Sequence, residues 1–147
     1  MRSKSETLKD EIIEAAANCF AQNGIEKTSI DDIGAKMGAS KGKVYHHFRS
    51  KAELLLAIRQ RSILSVVSRV KPIAETPAPT ASRFLNMAEA HVVGILTDLP
   101  YHRVVVENLR TGLGHEMGDN ERASLVEIKE LQSSYEDLFR DVIDAGQ

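Results

Sequence analysis

Residues 28–53, TSIDDIGAKMGASKGKVYHHFRSKAE, decide the reading of this chain. Thr28 stands three places before Asp31, and Ser50 three places before Glu53. Both pairs have the spacing of a capping box, in which the hydroxyl accepts from an orphan amide and the acid reaches back. Ile30, Ile33 and Met37 then recur at helical spacing, which predicts a short helix with one apolar face. Gly38 falls where a left-handed residue closes such a helix, a conformation glycine adopts without steric cost. Ser40 can cap the next helix, whose Val44 and Phe48 point inward at i and i+4. Two short helices joined through a glycine turn have little freedom in their crossing angle. This is the geometry of a helix-turn-helix, which lays its second helix in a DNA major groove.

The outward face of that second helix suits the task. Lys41, Gly42, Lys43, Tyr45 and His46 do not share the Val44 and Phe48 face. Lysines near a helix start can reach guanine edges or phosphates, and a glycine lets backbone approach DNA closely. Tyr45 can offer its ring to a thymine methyl or its hydroxyl to a phosphate. Between residues 36 and 51 the charged side chains are Lys36, Lys41, Lys43, Arg49 and Lys51, with no acid among them. The whole chain nevertheless carries a formal charge of −2, and acids outnumber bases after residue 51. Positive charge is thus segregated to one end. Spacing and charge alone leave two readings open, a DNA reader and a helical pair with a solvated basic face.

The segment Thr28–Leu54 closely resembles the DNA-binding domain of TetR-family transcriptional regulators. The resemblance is carried by T-x4-I-x4-G-x-SKG-x2-Y-x-HF-x2-K-x2-L, formed by Thr28, Ile33, Gly38, Ser40, Lys41, Gly42, Tyr45, His47, Phe48, Lys51 and Leu54. Ile12, Ala16, Phe20 and Gly24 are similar to the family's first helix and its glycine terminator. The resemblance implies that Lys41, Gly42, Lys43 and Tyr45 face bases. It implies that Thr28, Ser40, His46, His47 and Lys51 approach phosphates, although His47 can equally pack between helices.

Outside this segment the chain also reads as helices. Residues 1–7 are polar and expected to form a short flexible arm. A first helix over 8–23 carries Leu8, Ile12, Ala16 and Phe20 on one stripe, with Cys19 beside them in the core. A fourth helix over 51–70 bears Leu54, Leu55, Ile58, Ile63, Val66 and Val67. Pro72, Pro77 and Pro79 predict a loop over 71–80. A fifth helix over 81–98 has Phe84, Leu85, Ala88, Val92, Ile95 and Leu96 as its inward set. Asp98 and Pro100 suit the start of a sixth helix, whose Tyr101, Val104, Val105, Val106 and Leu109 predict burial at the domain centre. Gly112, Gly114 and Gly118 predict a loop over 112–118. A last helix from Asp119 or Asn120 to 145 bears Leu125, Ile128, Leu131, Tyr135, Leu138, Val142 and Ile143. The expected fold is all-α, with a three-helix DNA-binding domain over residues 1–50 and a helical ligand-binding and dimerisation domain over 51–147.

Composition bounds the function. At 147 residues, 42% hydrophobic and 27% charged, the chain suits a folded globular protein. One cysteine excludes an internal disulfide and a cysteine metal cluster. No apolar run reaches the ~18 residues of a membrane span, and no signal-peptide pattern opens the chain, so a cytoplasmic protein without membrane partner is expected. His91, His102 and His115 lack metal-site spacing, and neither a nucleophile elbow nor a phosphate-binding glycine loop is present. Catalysis, a metal and a cofactor are therefore not expected.

The TetR resemblance implies a homodimer on a palindromic operator, repression, and release when a small hydrophobic effector binds the second domain. Such regulators usually continue with two further long helices, so the second domain reads as short of its last two helices. Phe84, Met87, His91, Tyr101, Val105, Leu109, Met117, Tyr135 and Phe139 are candidates for the ligand pocket, or for plain core. The last loop and helix are loosely similar to regulators of acyl thioesters or fatty acids, and Arg103, Arg110 or Arg122 can meet an anionic group. The alternative function is a helical module that binds DNA without sequence preference or binds proteins.

Overall fold

A computed structural model of the chain describes residues 3–111 and 116–146. Seven helices follow one another among these residues: α1 Lys4–Asn23, α2 Ile30–Met37, α3 Lys41–His47, α4 Lys51–Glu75, α5 Thr80–Thr97, α6 Leu99–Thr111 and α7 Asp119–Asp144. No strand occurs among the described residues, so the fold is all-α as expected.

Local chemistry sets the helix boundaries, in places by a residue other than the one first read. Helix α1 starts at Lys4 in place of a flexible arm. Ser3 caps it by accepting from the Glu6 amide at 3.2 Å, while the Glu6 carboxylate accepts from the Ser3 amide at 2.8 Å. Met1 and Arg2 lie outside the described residues. Gly24 closes α1 at φ +86°, its N–H donating to Phe20 O at 2.8 Å. The capping box of α2 belongs to Ser29 and Asp32, not to Thr28 and Asp31. Thr28 turns inward instead, 2% exposed, with its hydroxyl donating to Gly24 O at 2.8 Å. Gly38 is left-handed at φ +66°, as its place after α2 predicts. Ser40 stands at the N-cap of α3 without a side-chain capping bond. At α4 the Ser50 hydroxyl accepts from the Glu53 amide at 3.0 Å, but the Glu53 carboxylate accepts from the Arg49 amide.

Helix α4 also overruns its expected end. It passes through Pro72 to Glu75, so the connection to α5 shrinks to residues 76–79. Proline removes one intrahelical bond. Ile73 and Ala74 compensate by packing on a second core of Val70, Met87 and Val142. Helix α6 begins after Asp98, whose carbonyl accepts from the Tyr101 and His102 amides at 3.0 and 3.4 Å. Residues 116–118 are non-helical before α7, whereas Gly112, Gly114 and His115 lie outside the described residues.

The larger core joins Ile12, Ala16, Cys19 and Phe20 of α1 to Ile33, Val44, Phe48, Leu54 and Ile58. Val104 of α6 completes it, so the bundle and the N-terminal helices share apolar contact. The faces expected inward on α5 and α6 are in part outward. Leu85 is 66% exposed and Val92 and Leu96 are exposed too, while Met87 and Gly94 are buried. A Cβ at Gly94 would stand 3.2 Å from Val66 Cγ1 and Arg69 Cδ of α4. The smallest residue of α5 therefore marks the face that approaches α4 most closely. On α6, Val104 and Asn108 are buried, but Val106 (67%) and Leu109 are exposed. Apolar residues surround both helices, so their pattern does not select a face.

Candidate nucleic-acid interface

Helix α3 is held from behind and free in front. Val44 is fully buried and Phe48 nearly so, both within the core made with α1, α2 and α4. Crossing close to α2 depends on Gly34, a residue the sequence reading passed over. A Cβ there would lie 3.3 Å from Val44 Cγ2 and 3.4 Å from Ala39 O. Its signal was legible, since it falls one residue after Ile33 on the inward side of α2.

Lys41, Gly42, Lys43, Tyr45 and His46 are all exposed. Lys41 Nζ pairs with Asp31 Oδ2 at 3.0 Å and lies 5.5 Å from the Tyr45 ring centroid. The hydrogen bond to Asp31, its negative charge and the tyrosine hold the lysine's pKa above the usual range. Both partners are open to solvent, so the pair exchanges readily for another anion. Gly42 has nothing within 4 Å of an added Cβ, so its front is open space.

The residues linked with phosphates divide. Ser40 and His46 are exposed. His47 is half-buried, its ring edge-on to His46 with centroids 5.2 Å apart. Burial, then the neighbouring His46 and Lys9, push its pKa down. Thr28 spends its hydroxyl internally, and the surface hydroxyl of that turn is Ser29's. Lys51 is half-buried with Nζ donating to Ile25 O at 2.9 Å. The starts of α2 and α4 nevertheless meet in one shallow concavity, lined by Lys27, Ser29, Tyr45, Arg49 and Lys51 among others. Lys27 and Arg49 join the site through this geometry, since neither belongs to the motif. Glu26 and Asp32 line the concavity as well, and Ser29 and Ser50 cap the two helix starts, so it places three cations beside two carboxylates next to Tyr45 of α3.

The profile of "Bacterial regulatory proteins, tetR family" matches residues 12–58, which span the core and face just described. The transcriptional activator FasR of Mycolicibacterium smegmatis is 32% identical over 100 residues, covering 68% of this chain and 46% of that protein. The repressor KstR2 of the same organism is 30% identical over 74 residues, covering 50% and 36% respectively. A solved tetR-family regulator from Rhodococcus RHA1 superposes with TM-score 0.81 at 26% identity, over 99% of this chain and 70% of that one. The chain belongs to the TetR family. The matched segments span less than half the length of the two curated relatives.

In this TetR-family chain the candidate pocket residues fall into two groups. Met87, Tyr135 and Phe139 pack together between α5 and α7, His91 stacks on Tyr135, and Phe84, itself exposed, meets Phe139 edge-on. His91 Nδ1 and the Tyr135 hydroxyl are 2.6 Å apart, and burial pushes the Tyr135 pKa up to about 12. Tyr101 packs instead on the larger core, Leu109 is exposed, and Val105 and Met117 are half-buried. No three His, Cys, Asp or Glu side chains among the described residues are placed to hold a metal ion. No helix among them is long and apolar enough to cross a membrane.

Proposed function

We propose that this chain is a sequence-specific transcriptional regulator, binding a palindromic operator as a homodimer and released by a small hydrophobic effector. The observation that carries the reading is α3, whose apolar side is locked in the core while Lys41, Gly42, Lys43 and Tyr45 stand exposed opposite. A helix so mounted reads base edges with little loss of side-chain order. Phosphates are held by Ser40, His46, His47 and Lys51, while Thr28 orders the turn that presents Ser29. Residues 1–50 act as the DNA-binding domain and 51–147 as the regulatory one.

The sign of control is repression in this proposal, although FasR is named an activator and KstR2 a repressor. Acyl thioesters or fatty acids are the effector class that the resemblance of the last loop and helix supports. The test is to incubate purified chain with sheared genomic DNA and sequence the retained fragments. Enrichment of a palindrome with half-sites about one helical turn apart, or a multiple of it, is expected. Retention of all fragments without a motif would replace the proposal by non-specific DNA binding.

A further inference from the structure

An open groove of about 550 Å3 runs along α6 beside the ends of α1 and α5. This lies within the usual range for small-molecule sites, about 300–1,000 Å3. Leu99, Arg103, Val106 and Arg110 line it from α6, at i, i+4, i+7 and i+11, so one helix face alternates apolar and cationic groups. Ile95 of α5 adds to the apolar wall. Leu99 and Val106 are exposed, so a ligand tail laid along them removes apolar area from water. Neither Arg103 nor Arg110 has an ion-pair partner among the described residues. His102 also lines the groove, its Nδ1 2.9 Å from Ser62 Oγ and its Nε2 buried with no hydrogen-bond partner. Facing the groove, that ring nitrogen is open to a hydrogen bond from a water or from a polar group of a ligand.

Glu107 connects this groove to the DNA-facing unit. It lines the groove between the two arginines, yet its carboxylate reaches out and accepts from the Ile25 amide at 3.0 Å. The Ile25 carbonyl accepts from Lys51 Nζ at 2.9 Å, so α6 and α4 hold opposite ends of one buried residue. Ile25 sits in the turn between α1 and α2, four residues before the Ser29 cap. The Glu107 bond therefore ties α6 to the turn that precedes α2.

We propose that this groove binds an anionic amphiphile, with a carboxylate or phosphate head at Arg103 or Arg110 and its tail along Ile95, Leu99 and Val106, and that Glu107 couples its occupancy to Ile25. This rests on the reading of the chain as an effector-controlled regulator, and it assigns the site and the coupling residue. A cationic ligand is repelled by the two guanidiniums, and a neutral one leaves them without a partner. An anionic head entering beside Glu107 opposes that carboxylate, and the repulsion falls on the Glu107–Ile25 bond.

The test uses decanoate and decanol as probes, titrated into the full chain by calorimetry below micelle-forming concentrations. Decanoate is expected to bind at least tenfold more tightly than decanol. The double variant Arg103→Gln/Arg110→Gln should weaken decanoate at least tenfold and leave decanol unchanged. Equal binding of the two probes, or a double variant indifferent to the loss, would overturn the site. Both arginines are exposed, and matching far-ultraviolet circular dichroism of the variant confirms its fold. The coupling is read from the Ile25 amide resonance, which should shift on adding decanoate in the parent chain and stay still in Glu107→Gln. An unmoved Ile25 resonance in decanoate-saturated parent chain would refute the coupling. Neither readout contains DNA, so a failed operator selection and a failed groove are separate results.

Discussion

Single residues in the α2–α3 pair divide by what stands in front of them. Gly42 faces open space and Gly34 faces Val44 Cγ2 at 3.3 Å, though both are helical glycines. Gly42→Leu should keep or slightly raise thermal stability, because glycine in a helix costs about 1 kcal/mol relative to better formers. The same variant should lose operator binding, since the new side chain occupies the space DNA would enter. Unchanged operator affinity in a gel-shift titration would remove Gly42 from the interface. Gly34→Val should do the reverse at source and destabilise the fold by about 1–3 kcal/mol through overpacking. Denaturant unfolding reads that loss directly. Lys43 has no internal partner role in the core, so Lys43→Ala isolates recognition from folding. It should weaken the operator by about 1–3 kcal/mol at one base position while barely changing binding to unrelated DNA. An equal loss on every sequence would assign Lys43 to phosphate instead.

Among the elements, α4 is the one that joins the two cores. Its first half carries Leu54 and Ile58 into the core behind α3, and Val70 lies in the core with Met87 and Val142. Pro72 stands within this helix and is exposed. Replacing it by alanine restores a backbone donor and removes the ring's clash with the preceding turn. Pro72→Ala should therefore raise stability, by up to about 2 kcal/mol once the freer unfolded chain is allowed for. A lower melting temperature would show that the proline ring itself supports the connection over 76–79. Helix α5 illustrates what the apolar pattern cannot resolve. Phe84 and Leu96 are both large apolar residues of one helix, yet Phe84 meets Phe139 edge-on at 6.1 Å while Leu96, about a third of a turn away around the helix, is left more exposed.

For the whole molecule, two partly buried histidines, His102 in the bundle and His47 on α3, carry a pH signature. His102 lies on α6 with Nδ1 against Ser62 of α4, and burial pushes its pKa below the usual value of 6.5. Asp98 opposes that shift and His91 adds to it. His47, on α3, is shifted in the same direction, also first by burial. Between the unfolded and folded pKa values the unfolded chain binds more protons, so stability rises with pH. Stability should therefore decline as pH falls below about 6.5 and level off below the folded pKa values. Melting curves from pH 5 to 8 check this, and His102→Gln should flatten part of the slope. A parent curve without slope in that window would mean that both rings are solvated in solution.

The helix-turn-helix unit and the all-α class are legible in the sequence alone. The reason is that caps, glycine stops and i, i+4 apolar pairs over residues 28–54 are local, and each acts within a turn or two. The sequence also placed Cys19 and Phe20 correctly in the core, because the α1 stripe has one apolar side. Local rules misassigned Thr28 only by one residue, since two hydroxyls stand side by side and the backbone chose Ser29. The faces of α5 and α6 are set by packing, because apolar residues surround each helix: Gly94 approaches α4 and Met87 meets Val142 of α7, while Val104 turns α6 onto the larger core. Tertiary structure alone brought Glu107 to Ile25, across 82 residues of chain, because no periodicity records which distant amide a carboxylate will find.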